Sequence, residues 1–209
     1  MLARALAPGA EAPPDDEASE RILDAAVELA AASGIRNLTM DDVAKRAGVG
    51  RMTVYRRFES KARLIDAVSV RESRRVLAAL DAAVRADAPV EDQIAEGLVA
   101  GLRIAREHPL LNRLARFEPE SVLEVFTAND GAIFAAARDF VAARMRAAQE
   151  AGVLGPVAVD ESAELLLRLG LSFVLIQESV LPLDDDERAR EFLREQIAPA
   201  LVAAATAAG

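Results

Sequence analysis

TMDDVAKRAGVGRMTVYRRF, Thr39 to Phe58, is the stretch on which the reading of this chain turns. Val43 and Ala44 supply the inner face of a first short helix, with Ala44 as the small residue where two helices approach. Thr39 and Asp42 have the spacing of a capping box, so this helix begins at Thr39. It stops at Gly48, four residues after Ala44, at a turn that calls for a residue tolerant of positive φ. A second helix starts near Gly50 or Arg51 and ends near Arg57; Val49 and Val54 pack inward and Phe58 closes the unit. That is the pattern of a helix-turn-helix. It leaves Arg51, Met52, Thr53, Tyr55 and Arg56 at the start and on the outer face of the second helix, the end that such a motif places in a major groove.

Arg51 has the donors for a guanine edge, and Met52 or Thr53 can meet a thymine methyl. Thr39, Tyr55, Arg57 and Lys61 are placed for phosphates, which position a module without reading sequence. Lys61 falls in the first turn of the following helix, where free backbone N–H groups also favour a phosphate. Lys45 and Gly50 complete the candidate DNA-facing set. Asp41 is an acid on this side; we expect it to touch neither base nor phosphate and to orient Arg36 or Lys45. The net charge of the chain is −9, which disfavours DNA if taken as uniform, but between Arg36 and Arg63 eight basic residues stand against three acidic ones. Local charge governs phosphate contact.

The stretch resembles the DNA-binding domain of the TetR family of regulators. The carriers are Thr39, the Ala47-Gly48-Val49 turn, Thr53-Val54-Tyr55-Arg56-Arg57-Phe58, the Ser60 step and Lys61 before a long helix, over roughly residues 17–68. One departure is Gly50, where the family commonly has a capping Ser; Gly is a cap only a few tenths of a kcal/mol poorer. The resemblance implies an all-α chain: a three-helix DNA-binding domain joined by a long helix to a helical domain that binds an effector and forms a homodimer. We place a disordered tail at 1–15, the DNA-binding domain at 16–68 with its motif at 39–58, and the effector and dimerisation domain at 69–209.

Around the motif, Ala and Leu dominate and no run of alternating β-branched residues appears, so no sheet is expected. A first helix spans Glu17 to Ser33, with Asp15, Asp16 and Ser19 as caps and Gly34 as its stop. Ser60 caps a fourth helix that carries Leu64, Val68 and Leu80 and ends before Pro89. Further helices are expected at 90–107, 109–117, 119–151 (with a break near Asn129–Gly131), 159–179 and 186–206, the last with Asp184 and Glu187 in capping-box spacing.

The stretch 163–181 is apolar on nearly all sides, which suits a helix covered from two directions, by its own domain and by a partner subunit. Leu167, Leu171 and Val174, with Phe192, Ile197 and Leu201 of the final helix, are the candidate dimer interface. Leu98, Leu102, Leu114, Phe117, Val122, Phe126 and Phe173 are candidates for an apolar effector pocket, and Arg103, Arg113 or Arg168 for a carboxylate on the ligand, with core packing or a surface ion pair the favoured reading of each.

Other classes fit poorly. There is no Cys, hence neither disulfide nor thiolate metal site, and no metal or cofactor is expected. His108 is the only histidine and precedes Pro109, which suits a capping role; no catalytic constellation, HExxH or P-loop is present, so an enzyme is not expected. The longest strongly apolar run, Leu169 to Ile176, is too short for a bilayer, and the N-terminus lacks a signal-peptide core, so a soluble cytoplasmic protein is expected. The functional expectation is a repressor that leaves double-stranded operator DNA when a small, lipophilic molecule binds. The alternatives are an activator or corepressor-dependent regulator of the same fold, and a helical adaptor whose basic patch docks an acidic protein.

Overall fold

The computed structural model describes residues 16–203, the side chains of residues 128–130 and 203 excepted. The expected tail at 1–15 and the end of the Ala-rich C-terminus lie outside the described residues. The described elements are all helices: α1 (Glu17–Ser33), a 3-10 turn (Ile35–Asn37), α2 (Met40–Ala47), α3 (Arg51–Phe58), α4 (Lys61–Ala83), α5 (Val90–Glu107), α6 (Pro109–Phe117), α7 (Pro119–Glu150), α8 (Val159–Leu175), α9 (Asp186–Phe192), a π-helical segment (Leu193–Ile197) and α10 (Ala198–Ala203).

Two compact units form. One holds the described residues up to Arg75 together with Glu107–Ile133; the other holds Val76–Arg106 and the described residues from Phe134 onward. The boundary drawn from the sequence assigned 107–133 to the C-terminal domain, whereas α6 packs against α1 in the first unit.

In the first unit the helices begin and end where the caps require. Asp16 Oδ1 accepts from Ser19 N at 2.7 Å, and Glu17 and Glu20 in the first turn complement the helix dipole. Ile22, Leu23 and Ala26 of α1, Leu38, Val43 and Ala44 around α2, Val54 and Phe58 of α3, Leu64 and Val68 of α4, and Leu110 and Leu114 of α6 are buried. Full burial of a Val, Leu or Ile side chain stabilises by roughly 1.5–3 kcal/mol, so this small set holds the motif rigid. Beneath it, Glu72 continues the buried Leu64–Val68 stripe of α4 and is itself buried. Its carboxylate meets Arg71 Nε at 2.8 Å, Arg75 Nη1 at 3.2 Å and His108 Nε2 at 2.9 Å. His108 caps α6 as expected: its Nδ1 accepts from Leu111 N at 3.3 Å, so Nε2 carries the proton donated to Glu72.

The second unit has one core, built from Ile94, Leu98 and Leu102 of α5, Ala142 and Met145 of α7, Ala163 and Leu166 of α8, and Ala189, Leu193 and Leu201. Several boundaries differ from expectation. α8 ends at Leu175, not 179; Gln177, Glu178 and Ser179 have nothing apolar to bury, and Pro182 biases the residue before it to extended backbone. Asp185, not Asp184, caps α9, accepting from Glu187 N at 3.1 Å and Arg188 N at 2.9 Å. The helix expected at 186–206 is interrupted by its π-helical segment. α7 runs through Asn129–Gly131, and the expected break amounts to Gly131 alone at φ +72°.

Candidate nucleic-acid interface

Two local features aim α3. Thr39 sits just outside α2 in extended backbone, and its Oγ1 accepts from Asp42 N at 3.1 Å. Gly48 takes the left-handed conformation (φ 66°, ψ 34°), and its N–H closes α2 on the carbonyls of Ala44 and Lys45. A residue with a Cβ is disfavoured there by about 1–2 kcal/mol. The turn then presents Gly50, in extended backbone, as the residue before α3. It donates no side-chain cap, so the first N–H groups of α3 are left without a side-chain partner.

The candidate residues separate into two groups. Thr39, Lys45, Gly50, Arg51, Met52 and Arg56 are exposed, with Met52 at 77%. Thr53 and Tyr55 are half-buried on α3. Lys45 and Arg56 carry no ion-pair partner among the described residues. An apolar side chain as exposed as Met52, beside cations, at a helix start is what a base-reading surface needs and what a free solvated helix does not.

Arg57 and Lys61 are spent differently. The Arg57 guanidinium donates Nε to Asp16 Oδ1 at 3.2 Å and to Ser19 Oγ at 3.0 Å, and Nη2 to Asp16 Oδ2 at 2.5 Å. It therefore clamps the start of α1, its Nε–H and one Nη2–H spent on Asp16 and Ser19. The Arg57 hydrogen bond, with that from Ser19 N, holds the Asp16 carboxyl at about 2. Lys61 is half-buried and donates Nζ to the carbonyl of Arg36 at 2.7 Å, which ties the start of α4 to the 3-10 turn. Ser60 caps α4 as expected, its Oγ accepting from Arg63 N at 3.3 Å.

Asp41 orients neither Arg36 nor Lys45. Arg36 pairs with Glu120 at 3.0 Å, and Asp41 Oδ1 lies 2.9 Å from Arg51 Nε. Arg51 also sits over the ring of Tyr55, 5.4 Å from its centroid.

The remaining candidates fall in different units. Leu114, Phe117, Val122 and Phe126 belong to the first, where Phe117 is 69% exposed and Leu114 and Val122 are buried. Leu98, Leu102 and Phe173 belong to the second and pack in or against its core. Arg103, Arg113 and Arg168 are all in ion pairs, with Asp186, Glu118 and Glu164. A groove of about 400 Å³ that sequence reasoning missed is lined by Arg138, Asp160, Glu161, Glu164, Leu165 and Arg168. Of the dimer candidates, Leu201 is buried in the chain's own core and is not available to a partner. Phe192, Ile197 and Val174 are half-buried against that core, and Leu167 and Leu171 are half-buried. The exposed large apolar residues of this region are Leu165, Ile176 and Val180.

A rigid helix pair, a left-handed glycine at the turn and an exposed basic helix start define a helix-turn-helix, DNA-binding transcription regulator. Residues 22–68 match the model of the family described as bacterial regulatory proteins, tetR family. Over those residues the chain carries that family's DNA-binding domain. A stretch of 53 residues is 42% identical to the HTH-type transcriptional regulator SrpR of Pseudomonas putida, a match that spans 25% of this chain and 25% of that one. The HTH-type transcriptional regulator YhgD of Bacillus subtilis is 25% identical over 170 residues, 79% of this chain and 87% of that protein. Among solved structures, the TetR family repressor AlkX of Dietzia is similar over 88% of this chain and 98% of its own, at 25% identity and a TM-score of 0.61. GusR of Salmonella enterica shares the fold, with a TM-score of 0.68 at 22% identity over 91% of this chain and 98% of its own. No described helix is long and apolar enough to cross a membrane.

Proposed function

We propose that this chain is a cytoplasmic, ligand-released repressor that binds a near-palindromic operator as a homodimer, each α3 entering a major groove. The exposed start of α3, with Gly50, Arg51 and Met52, together with unpaired Lys45 in the last turn of α2 and Arg56 in the last turn of α3, is the observation that carries this reading. Half-sites about one helical turn apart, or a multiple of it, follow from two-fold symmetry. The dimer uses α8, where Leu165 stays exposed and Leu167 and Leu171 half-exposed, and the exposed Ile176 beyond its end. A small apolar effector bound in the C-terminal part displaces α4, which begins in the first unit at Lys61 and ends in the second at Ala83. The displacement alters the spacing of the two recognition helices; coupling of this kind typically amounts to roughly 1–3 kcal/mol. That AlkX is described as a TetR family repressor supports the sign of the regulation.

The test is fluorescence anisotropy with a duplex from the region upstream of the chain's own gene, against scrambled competitor at physiological salt. Binding in the nanomolar range that survives competitor is the expected result, and addition of the effector then lowers it; an effector that raises it makes the chain a corepressor-dependent regulator. Arg51→Ala is expected to cost about 1–3 kcal/mol of operator preference, while Lys45→Ala weakens binding to all duplexes alike and reduces the salt slope by about 1. Equal loss on operator and scrambled duplex for Arg51→Ala contradicts the base-reading role.

A further inference from the structure

Asp41 puts a negative charge next to the surface assigned to DNA, and the helix-turn-helix itself does not require it. Its Oδ1 is shielded from water and has no hydrogen-bond partner among the described residues. What compensates it is Arg51, whose Nε lies 2.9 Å away, and the same guanidinium stacks over Tyr55 one turn further along α3, at 5.4 Å from the ring centroid. A carboxylate from α2 and a ring from α3 thus bracket one exposed arginine. Both partners of the ion pair are well exposed, 63% and 46%, and such pairs add little to stability. Orientation is a different matter: a long flexible side chain held in place before binding loses less freedom when it binds.

We propose that Asp41 is a positioning residue for base readout, holding Arg51 through Nε so that its Nη1 and Nη2 groups face the two acceptors of a guanine, O6 and N7. This rests on the DNA-reading function proposed above. It makes Asp41 act with opposite signs on two quantities. Its charge repels phosphate and weakens binding to every duplex, while its hold on Arg51 strengthens binding only where a guanine is in place.

The opposite signs make the test decisive. The full chain is used to enrich duplexes from a random-sequence library, and affinities for the enriched duplex and a scrambled one are measured at fixed salt for the wild type, Asp41→Asn, Arg51→Ala and the double variant. Asp41→Asn is expected to bind the scrambled duplex about twofold more tightly and to lower the ratio of enriched to scrambled affinity about fivefold. In the Arg51→Ala background the same substitution should leave that ratio unchanged. Asp41→Glu, which keeps the charge, should recover part of the discrimination, and thermal melting should show each variant folded. Asp41→Asn strengthening both duplexes equally would overturn the proposal, as would an equal loss of discrimination with and without Arg51. A wild type that enriches no motif overturns the DNA-reading assignment itself, and the inference with it, before any variant is measured.

Discussion

Arg57 shows how one side chain is diverted from the surface on which its neighbours act. It follows Arg56 directly, yet Arg56 is exposed and unpaired while Arg57 holds Asp16 and Ser19. The consequence is a dependence on pH. The Arg57 hydrogen bond and the Ser19 N–H lower the Asp16 carboxyl from 3.8 to about 2. A carboxyl depressed on folding contributes stability that is complete above its unfolded value and disappears as pH falls toward the folded one. Glu72 has the same sign: burial raises its pKa, but the hydrogen bond from His108 and the charges of Arg71 and Arg75 outweigh it and leave it below its ordinary 4.5. Acid unfolding followed by far-UV circular dichroism should therefore show stability falling from about pH 4 toward pH 2. Asp16→Asn should be less stable than the wild type at neutral pH and lose less over that window. Parallel profiles for the two proteins would mean that Asp16 contributes nothing through its charge.

Among the elements, the connections are more constrained than the helices. Gly34 has φ 91° and ψ 152°, and a Cβ built on it would clash with Glu118 Oε1. Gly48 is left-handed with open space around it. Gly34→Ala is accordingly expected to destabilise by about 3 kcal/mol and Gly48→Ala by about 1 kcal/mol, since only the first combines a forbidden backbone with a clash. Urea denaturation distinguishes the two. Between α3 and α4 the strain runs the other way. Glu59 has φ 57° and ψ −45°, and Ser60 N bonds back to the Phe58 carbonyl at 2.5 Å, so the recognition helix ends in a strained γ-turn occupied by a non-glycine residue. Glu59→Gly removes strain of roughly 1–3 kcal/mol and adds roughly 0.5–1 kcal/mol of unfolded-state entropy. A net gain of about 1 kcal/mol, read as a higher melting temperature, is the expected outcome, and a lower one would show that the turn carries no strain.

For the whole molecule, the exposed apolar residues at and beyond α8 set the prediction. Leu165, Ile176 and Val180 are 45%, 66% and 102% exposed, while Leu201, a candidate for the dimer interface from the sequence, is buried in the core of its own unit. If α8 forms the dimer, sedimentation equilibrium should give about twice the 22.3 kDa of one chain. Leu165→Glu combined with Ile176→Glu should shift the distribution toward single chains without lowering helix content. A pair of substitutions that leaves the mass unchanged would move the interface elsewhere.

The chain's own sequence determined the elements whose causes are local. Asp16, Thr39 and Gly48 set the limits of α1 and α2 through contacts a few residues apart, and the inward set Val43, Ala44, Val54 and Phe58 follows from helical period alone. Glu72 was legible in principle, as the next step of the Leu64–Val68 stripe, but an acid on an apolar stripe does not announce its partners. Only the tertiary structure decided which acid each arginine meets. Arg57 and Asp16 are 41 residues apart and Arg36 and Glu120 are 84 apart. It likewise decided that 107–133 joins the N-terminal unit and that Asp41 faces Arg51. The physical reason is reach: a guanidinium on a long flexible stem can satisfy many carboxylates, and the choice among them is made by how the helices pack.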